Sequence, residues 1–308
     1  MSDRGFLRHT GLADRALRST ALRRSLAILA VLAGVAALPA AATAAAQDWR
    51  TLNTRRQVAG EKDFRVNVEF GAGVLKVEPA GAGDLYHAAI RYDAEIFEPV
   101  ANYENGVLRI GISGTARTKR RIREGSQLTL GLGTNVPLDL RFAFGAVEAD
   151  IELGGMNVRT ANISTGASET RLRFSQPNRA RLQRLDLAVG AADFTATGLG
   201  NANAERIVFK GGVGDIVLDF GGTWRGDTQV EVSMGVGSLT LHLPRNIGVR
   251  IERETLFVSF DPRGLEKRGN GYYSEGWENA KRRLSISLKG ALGSVDIRWL
   301  PDEVTRID

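Results

Sequence analysis

Residues 207–243 read IVFKGGVGDIVLDFGGTWRGDTQVEVSMGVGSLTLHL. One phrase occurs twice in this stretch, centred on Gly212 and on Gly235. Val230, Val232 and Met234 precede Gly235 at positions −5, −3 and −1, and Leu239, Leu241 and Leu243 follow it at +4, +6 and +8. Ile216, Leu218 and Phe220 take the same places after Gly212. Apolar residues at every second position mark a strand with one buried face. The step from −1 to +4 is odd, so the alternation changes phase at the glycine. An uninterrupted strand cannot change phase and keep one face inward. The chain is therefore expected to turn a corner there, with the glycine supplying unusual dihedrals.

The same phrase recurs along the chain, as FGAGVLKV at Gly71, FGAVEADIEL at Gly145, TGASETRLRF at Gly166, VGAADFTAT at Gly190 and GALGSVDIRW at Gly290. From Gly145 to Gly235 the spacings are 21, 24, 22 and 23 residues. That period predicts an all-β, single-domain β-solenoid, β-helix-like, of stacked two-strand coils of about 21–24 residues. Two regions break the period. Between Gly71 and Gly145, extra strands are expected at Leu85–Tyr92 and Leu108–Ile112, with a turn at Glu104-Asn105-Gly106. Between Ile247 and Ser285, Val249, Ile251, Val258 and Phe260 read as a coil that has lost its glycines, followed by a loop from Gly264 to Asn279. Atypical units near the ends suit a solenoid that must close its open edges.

Of the 308 residues, 36 are glycine, 8 proline and none cysteine. Residues 1–46 stand apart from the repeat. Six arginines precede the apolar run Leu26–Leu38, and Ala44-Ala45-Ala46 supplies small residues for cleavage. The segment reads as a signal peptide, with an N-terminal membrane anchor as the alternative, and Arg23-Arg24 resembles a twin-arginine signal. Its six arginines and two aspartates carry +4 of the formal +6, which leaves the rest near neutral and argues against nucleic-acid binding. The expected organisation is leader 1–46, linker 47–63, solenoid 64–300 and tail 301–308.

The ordered phrases VEFGAGVLKVEP, IRYDAEIFEPVANYENGVLRI, VPLDLRFAFGAVEADIEL and VEVSMGVGSLTLHLPRNIGVRIE resemble the toast-rack family over roughly residues 64–300. Members are similar to the extracytoplasmic domain of LiaF-like cell-wall stress regulators and to candidate β-solenoid adhesins. The resemblance implies a β-solenoid and an envelope location, periplasmic or on the bacterial cell surface. For LiaF-like members it also implies regulation. Those regulators carry several transmembrane helices ahead of the domain, where this chain has one apolar segment. The family brings no agreed catalytic residues.

No catalytic, metal or cofactor residues are assigned. Gly131-Leu132-Gly133 and Gly212-Val213-Gly214 lack the helix that a dinucleotide fingerprint needs. His87 and His242 lie far apart, without zinc spacing. Position +3 holds Glu148, Glu169, Asp193, Asp215 and then Ser238, an acidic column that is either a weak cation stripe or a solvated face. Arg171 and Arg173 are its expected compensating charges. The basic run Arg117, Lys119, Arg120, Arg121 and Arg123 is a candidate contact for an anionic surface. Tyr272, Tyr273 and Trp277 either stack on sugar or cover the last coil. The expected function is a non-enzymatic exported module that binds an envelope component or protein partner, or regulates envelope stress. A structural, adhesin-like protein and a glycan-active β-helix enzyme are the alternatives.

Overall fold

The computed structural model describes residues 48–81, 83–114, 125–255 and 258–308. Contacts divide the chain into residues 1–45 and 46–308, and every described residue belongs to the second unit. Its strands, in chain order, are β1 (Trp49–Gln57), β2 (Phe64–Pro79), β3 (Asp84–Asp93), β4 (Phe97–Glu104), β5 (Val107–Gly114), β6 (Ser126–Leu132) and β7 (Leu138–Glu152). Then follow β8 (Val158–Thr165), β9 (Glu169–Arg173), β10 (Leu182–Ala191), β11 (Asp193–Thr197), β12 (Ala204–Asp219), β13 (Gly222–Trp224) and β14 (Thr228–Leu243). The last are β15 (Gly248–Thr255), β16 (Val258–Phe260), β17 (Leu265–Arg268), β18 (Gly271–Ser274), β19 (Arg283–Trp299) and β20 (Thr305–Ile307). Among the described residues the only helical pieces are the 3-10 turns Trp277–Asn279 and Asp302–Val304.

The coils stack in parallel, as the period requires. From one end to the other they are β5 with β6, β2, β7, β8 with β9, β10 with β11, β12, β14, β19, and β15 with β16. The half before each corner forms one arm of the sheet and the half after it forms the other. Residues at the alternating positions point between the arms. Phe142, Phe209 and Phe220 are fully buried there, with Ile151, Leu218 and Leu241. Phe194 of one arm meets Phe209 of the other at 5.6 Å between ring centroids. Each such side chain contributes roughly 1.5–3 kcal/mol by leaving water.

The corner corrects one expectation. Gly235, at the centre of its phrase, does not have a positive φ; what requires glycine there is close approach. A Cβ on Gly235 would lie 2.6 Å from the Gly212 carbonyl oxygen of the next coil. The unusual dihedral falls two residues later. Gly237 has φ 142°, and a Cβ on it would lie 2.0 Å from the Gly214 carbonyl oxygen. The phase change is thus divided between a crowded position and a strained one.

Antiparallel strands close both ends. β4 pairs with β5, β3 with β6, and β1 with β3 at one end; β18 pairs with β15 and β17 with β18 at the other. The expected turn joins β4 to β5 through Asn105 (φ 50°) and Gly106 (φ 75°), the left-handed pair that a two-residue hairpin needs. The unit that has lost its corner glycines is the coil β15–β16, and it lies outside β19, the last coil in sequence.

Two boundaries change. Residues 47–63, expected as a linker, carry β1 and then a clasp around Glu61. The Glu61 carboxylate accepts from the Ala59 N–H at 2.6 Å, Tyr103 Oη at 3.2 Å and Arg56 Nε at 3.3 Å. Residues 301–308, expected as a tail, contain β20 (Thr305–Ile307), which pairs in parallel with β13. Asn246 Nδ2 donates to the Thr305 carbonyl at 2.8 Å, and the Asp308 N–H donates to the Trp224 carbonyl at 3.0 Å. The leader 1–46 and the basic run 117–123 lie outside the described residues. No helix among the described residues is long and apolar enough to cross a membrane.

Candidate functional site

The acidic column is assembled as the spacing predicts. Glu148 registers with Glu169, Glu169 with Asp193, and Asp215 with Ser238; Ser294 and Ser259 continue the row. Strands in a sheet lie about 4.8 Å apart, so the carboxylates would repel if left alone. Arg171 offsets two of them, pairing with Glu169 and reaching Glu148 at 3.7 Å. Arg173 instead serves the neighbouring row, with Asp150 at 2.6 Å and Glu152 at 3.5 Å. Ser238 donates to Asp215 at 2.5 Å. All four acids are exposed, and among the described residues no group of three or more His, Cys, Asp or Glu is placed to hold a metal.

The remaining sequence candidates are separate. His87, on β3 in the first cap, lies 3.6 Å from Asp84, and His242, on β14 several coils away, lies 3.1 Å from Asp219. Tyr272 is buried against Phe260 at 5.0 Å, and Tyr273 meets Trp277 at 5.6 Å. These rings cover the terminal coil. Gly131 carries no helix after it, and Gly212 lies inside the continuous strand β12.

The most developed surface was not singled out by sequence. It lies on the outer face of the first arm, where β4, β5, β2, β7 and β8 run side by side. Their outward residues at one level are Asn102, Arg109, Asn67, Arg141 and Asn162, each registered with the next. The flanking residues Val66, Val68, Leu140, Phe142, Leu108 and Ile110 are buried, which forces these polar side chains outward. Two adjoining depressions, of about 510 and 220 Å³, share Asn67 and Arg141 as floor. The larger also holds Arg65, Asp139, Thr160, Asn162, Arg184 and Asp186.

Charge pairing differs sharply within this groove. Asp139 accepts from Arg159 at 2.7 Å and Thr160 at 2.9 Å, and Arg184 donates to Asp186 at 2.7 Å. Burial works against the Arg159 charge, but Asp139 and Asp63 outweigh it and hold its pKa above the ordinary arginine value. The side chains of Arg65, Arg109, Arg141, Asn67, Asn102 and Asn162 form no ion pair, hydrogen bond or ring contact among the described residues. The arrangement can therefore donate several hydrogen bonds and offer positive charge to one elongated ligand.

The family model described as the N-terminal domain of toast_rack, DUF2154, matches residues 45–195 and again 178–242. The chain belongs to the toast-rack family. The toast-rack chain is similar to a candidate cell adhesion protein from Clostridium sporogenes, at 17% identity over 82% of this chain and 100% of that one, with TM-score 0.45. A candidate adhesin from Bacteroides fragilis is 13% identical over 81% and 97% of the two chains, with TM-score 0.40. A candidate lipid-binding protein from Parabacteroides distasonis is 10% identical over 82% and 97%, with TM-score 0.32. No curated protein matches.

Proposed function

We infer that this toast-rack protein is a non-enzymatic, exported cell-envelope module that works by binding, in the manner of a surface or adhesin-like protein. The observation that carries the reading is the groove on β4, β5, β2, β7 and β8, where unpartnered Asn and Arg side chains share one outer face. A rigid stack of parallel strands holds that face in fixed register, so ligand groups meet donors whose spacing is already set. Exposed acids that are paired with arginine, such as Glu148 and Glu169, are poorly placed for the unequal acid–base roles of glycan hydrolysis. Envelope-stress regulation is the finer version of the same reading, and it requires a protein partner.

Fractionation of cells producing a C-terminally tagged chain tests this, together with external protease on intact cells and incubation with a glycan panel. Envelope-fraction protein that external protease reaches, and that releases no glycan product, is expected. Cytoplasmic protein, or cleaved glycan, would overturn the reading.

A further inference from the structure

The groove has a chemical grain that identifies a ligand class. Across five neighbouring strands the outward row that runs through it alternates Asn102, Arg109, Asn67, Arg141, Asn162, and all but Asn102 line one of the two depressions. The row then ends at Asp186, which registers with Asn162 and is held by Arg184. Neighbouring members are about 4.8 Å apart, so the row is roughly 19 Å long and its two cations are separated by about 9.6 Å. The row runs across the strands, along the axis of the stack. A ligand following it must be linear, extended and rich in hydrogen-bonding groups.

Three features narrow the class. Arginine prefers planar carboxylates, which it grips through two parallel N–H groups. Asparagine offers both a donor and an acceptor, which suits hydroxyl and acetamido groups. Glu69 is exposed and without a partner, on the same strand as Asn67 and two residues further on, about 6.7 Å away. Its charge disfavours an anion at Asn67 while leaving Arg109 and Arg141 free to take one each. An extended pyranose chain advances by about one strand spacing per sugar.

We propose that this row binds a linear acidic polysaccharide with a carboxylate on every second sugar, the acidic sugars on Arg109 and Arg141 and the neutral sugar on Asn67. Arg65 lies one strand from Arg109 and belongs to the larger depression, where it extends the positive flank of the groove. The proposal rests on the binding reading above and specifies its ligand.

Calorimetric titration of the full chain with three probes tests it. Hyaluronan oligosaccharides carry a carboxylate on alternate sugars, polygalacturonate on every sugar, and dextran on none. Hyaluronan is expected to bind at least tenfold more tightly than polygalacturonate, and dextran not at all. Arg109→Gln and Arg141→Gln are each expected to weaken hyaluronan about tenfold, the loss of one charge-assisted contact. Arg298→Gln removes an equal charge from an unpaired, exposed arginine outside the row and is expected to change nothing. Glu69→Gln is expected to narrow the gap by strengthening polygalacturonate. No hyaluronan binding by the parent overturns the proposal. So does equal loss in Arg298→Gln, or displacement of hyaluronan by polyglutamate at equal charge. A chain that reaches the cell surface yet ignores all three glycans loses this ligand and keeps the function proposed above.

Discussion

The interior coils and the two end caps solve different problems with different residues. Interior coils lie against near-copies of themselves. Their corners need residues that let one carbonyl approach the next, hence Gly145, Gly190, Gly212 and Gly235 in register. The caps have no next copy. There the backbone turns antiparallel, and arginines lie over aromatic rings. Arg56 sits 4.2 Å from the Tyr103 centroid, and Arg253 lies 5.2 Å from that of Phe260. Repetition stabilises through likeness to a neighbour; an end must be finished by sequence that does not repeat.

The largest effect should come from filling an interior corner. Gly237→Ala adds a Cβ where the backbone is strained and a carbonyl already stands, and is expected to cost about 3 kcal/mol or more in urea unfolding. Gly81→Ala, in open space beside the first cap, should cost less than about 0.5 kcal/mol. Equal costs would break the distinction between the two regions.

Next is the clasp of the first cap. Glu61→Gln should lower stability by about 1 kcal/mol at neutral pH. Burial pushes the Glu61 carboxyl upward, but hydrogen bonds from the Ala59 and Glu61 N–H groups, Tyr103 and Arg56 together hold it below the usual glutamate value. Its contribution is therefore present above the unfolded value near 4.3 and is lost as pH falls through the lower folded value. Melting curves of parent and variant should converge in acid. A gap that persists unchanged there would show that the clasp works without its charge.

The smallest effect belongs to the column. Arg171→Ala leaves Glu148 beside Glu169, both exposed, and should cost about 0.5 kcal/mol at low salt. The difference should shrink in 1 M salt, where the Debye length falls to about 3 Å. A salt-independent loss would mean that Arg171 acts through packing.

Much of this division can be read from residue order, because an interior coil follows its neighbour by about 23 residues along most of the chain. The +3 column was legible for that reason, from Glu148 through Asp215 to Ser238. The Asn–Arg row was not. Its members come in spatial order from positions 102, 109, 67, 141 and 162, since β2 is paired on one side with the later strand β5. Nothing local to Asn67 reveals that Arg109 and Arg141 flank it. The corner glycines were half legible. The phase change locates the bend, but which glycine takes the positive φ depends on how the neighbouring carbonyl points. β1 and β20 escaped notice because each strand pairs on the periphery and lacks the glycine phrase.

The placement of β19 between β14 and β15 has a consequence for assembly during synthesis. β15 is made some 30 residues ahead of β19, yet among the described residues its only parallel partner is β19. Until residues 283–299 arrive, the edge of β14 stands open and β15 has no coil to join. β19 threads into a waiting slot, and closure is a late, long-range event rather than a steady winding from one end. A nascent chain therefore passes through an interval in which a second molecule's β14 or β19 is as good a template as its own, and the chance of swapped pairs depends on how quickly β19 is delivered.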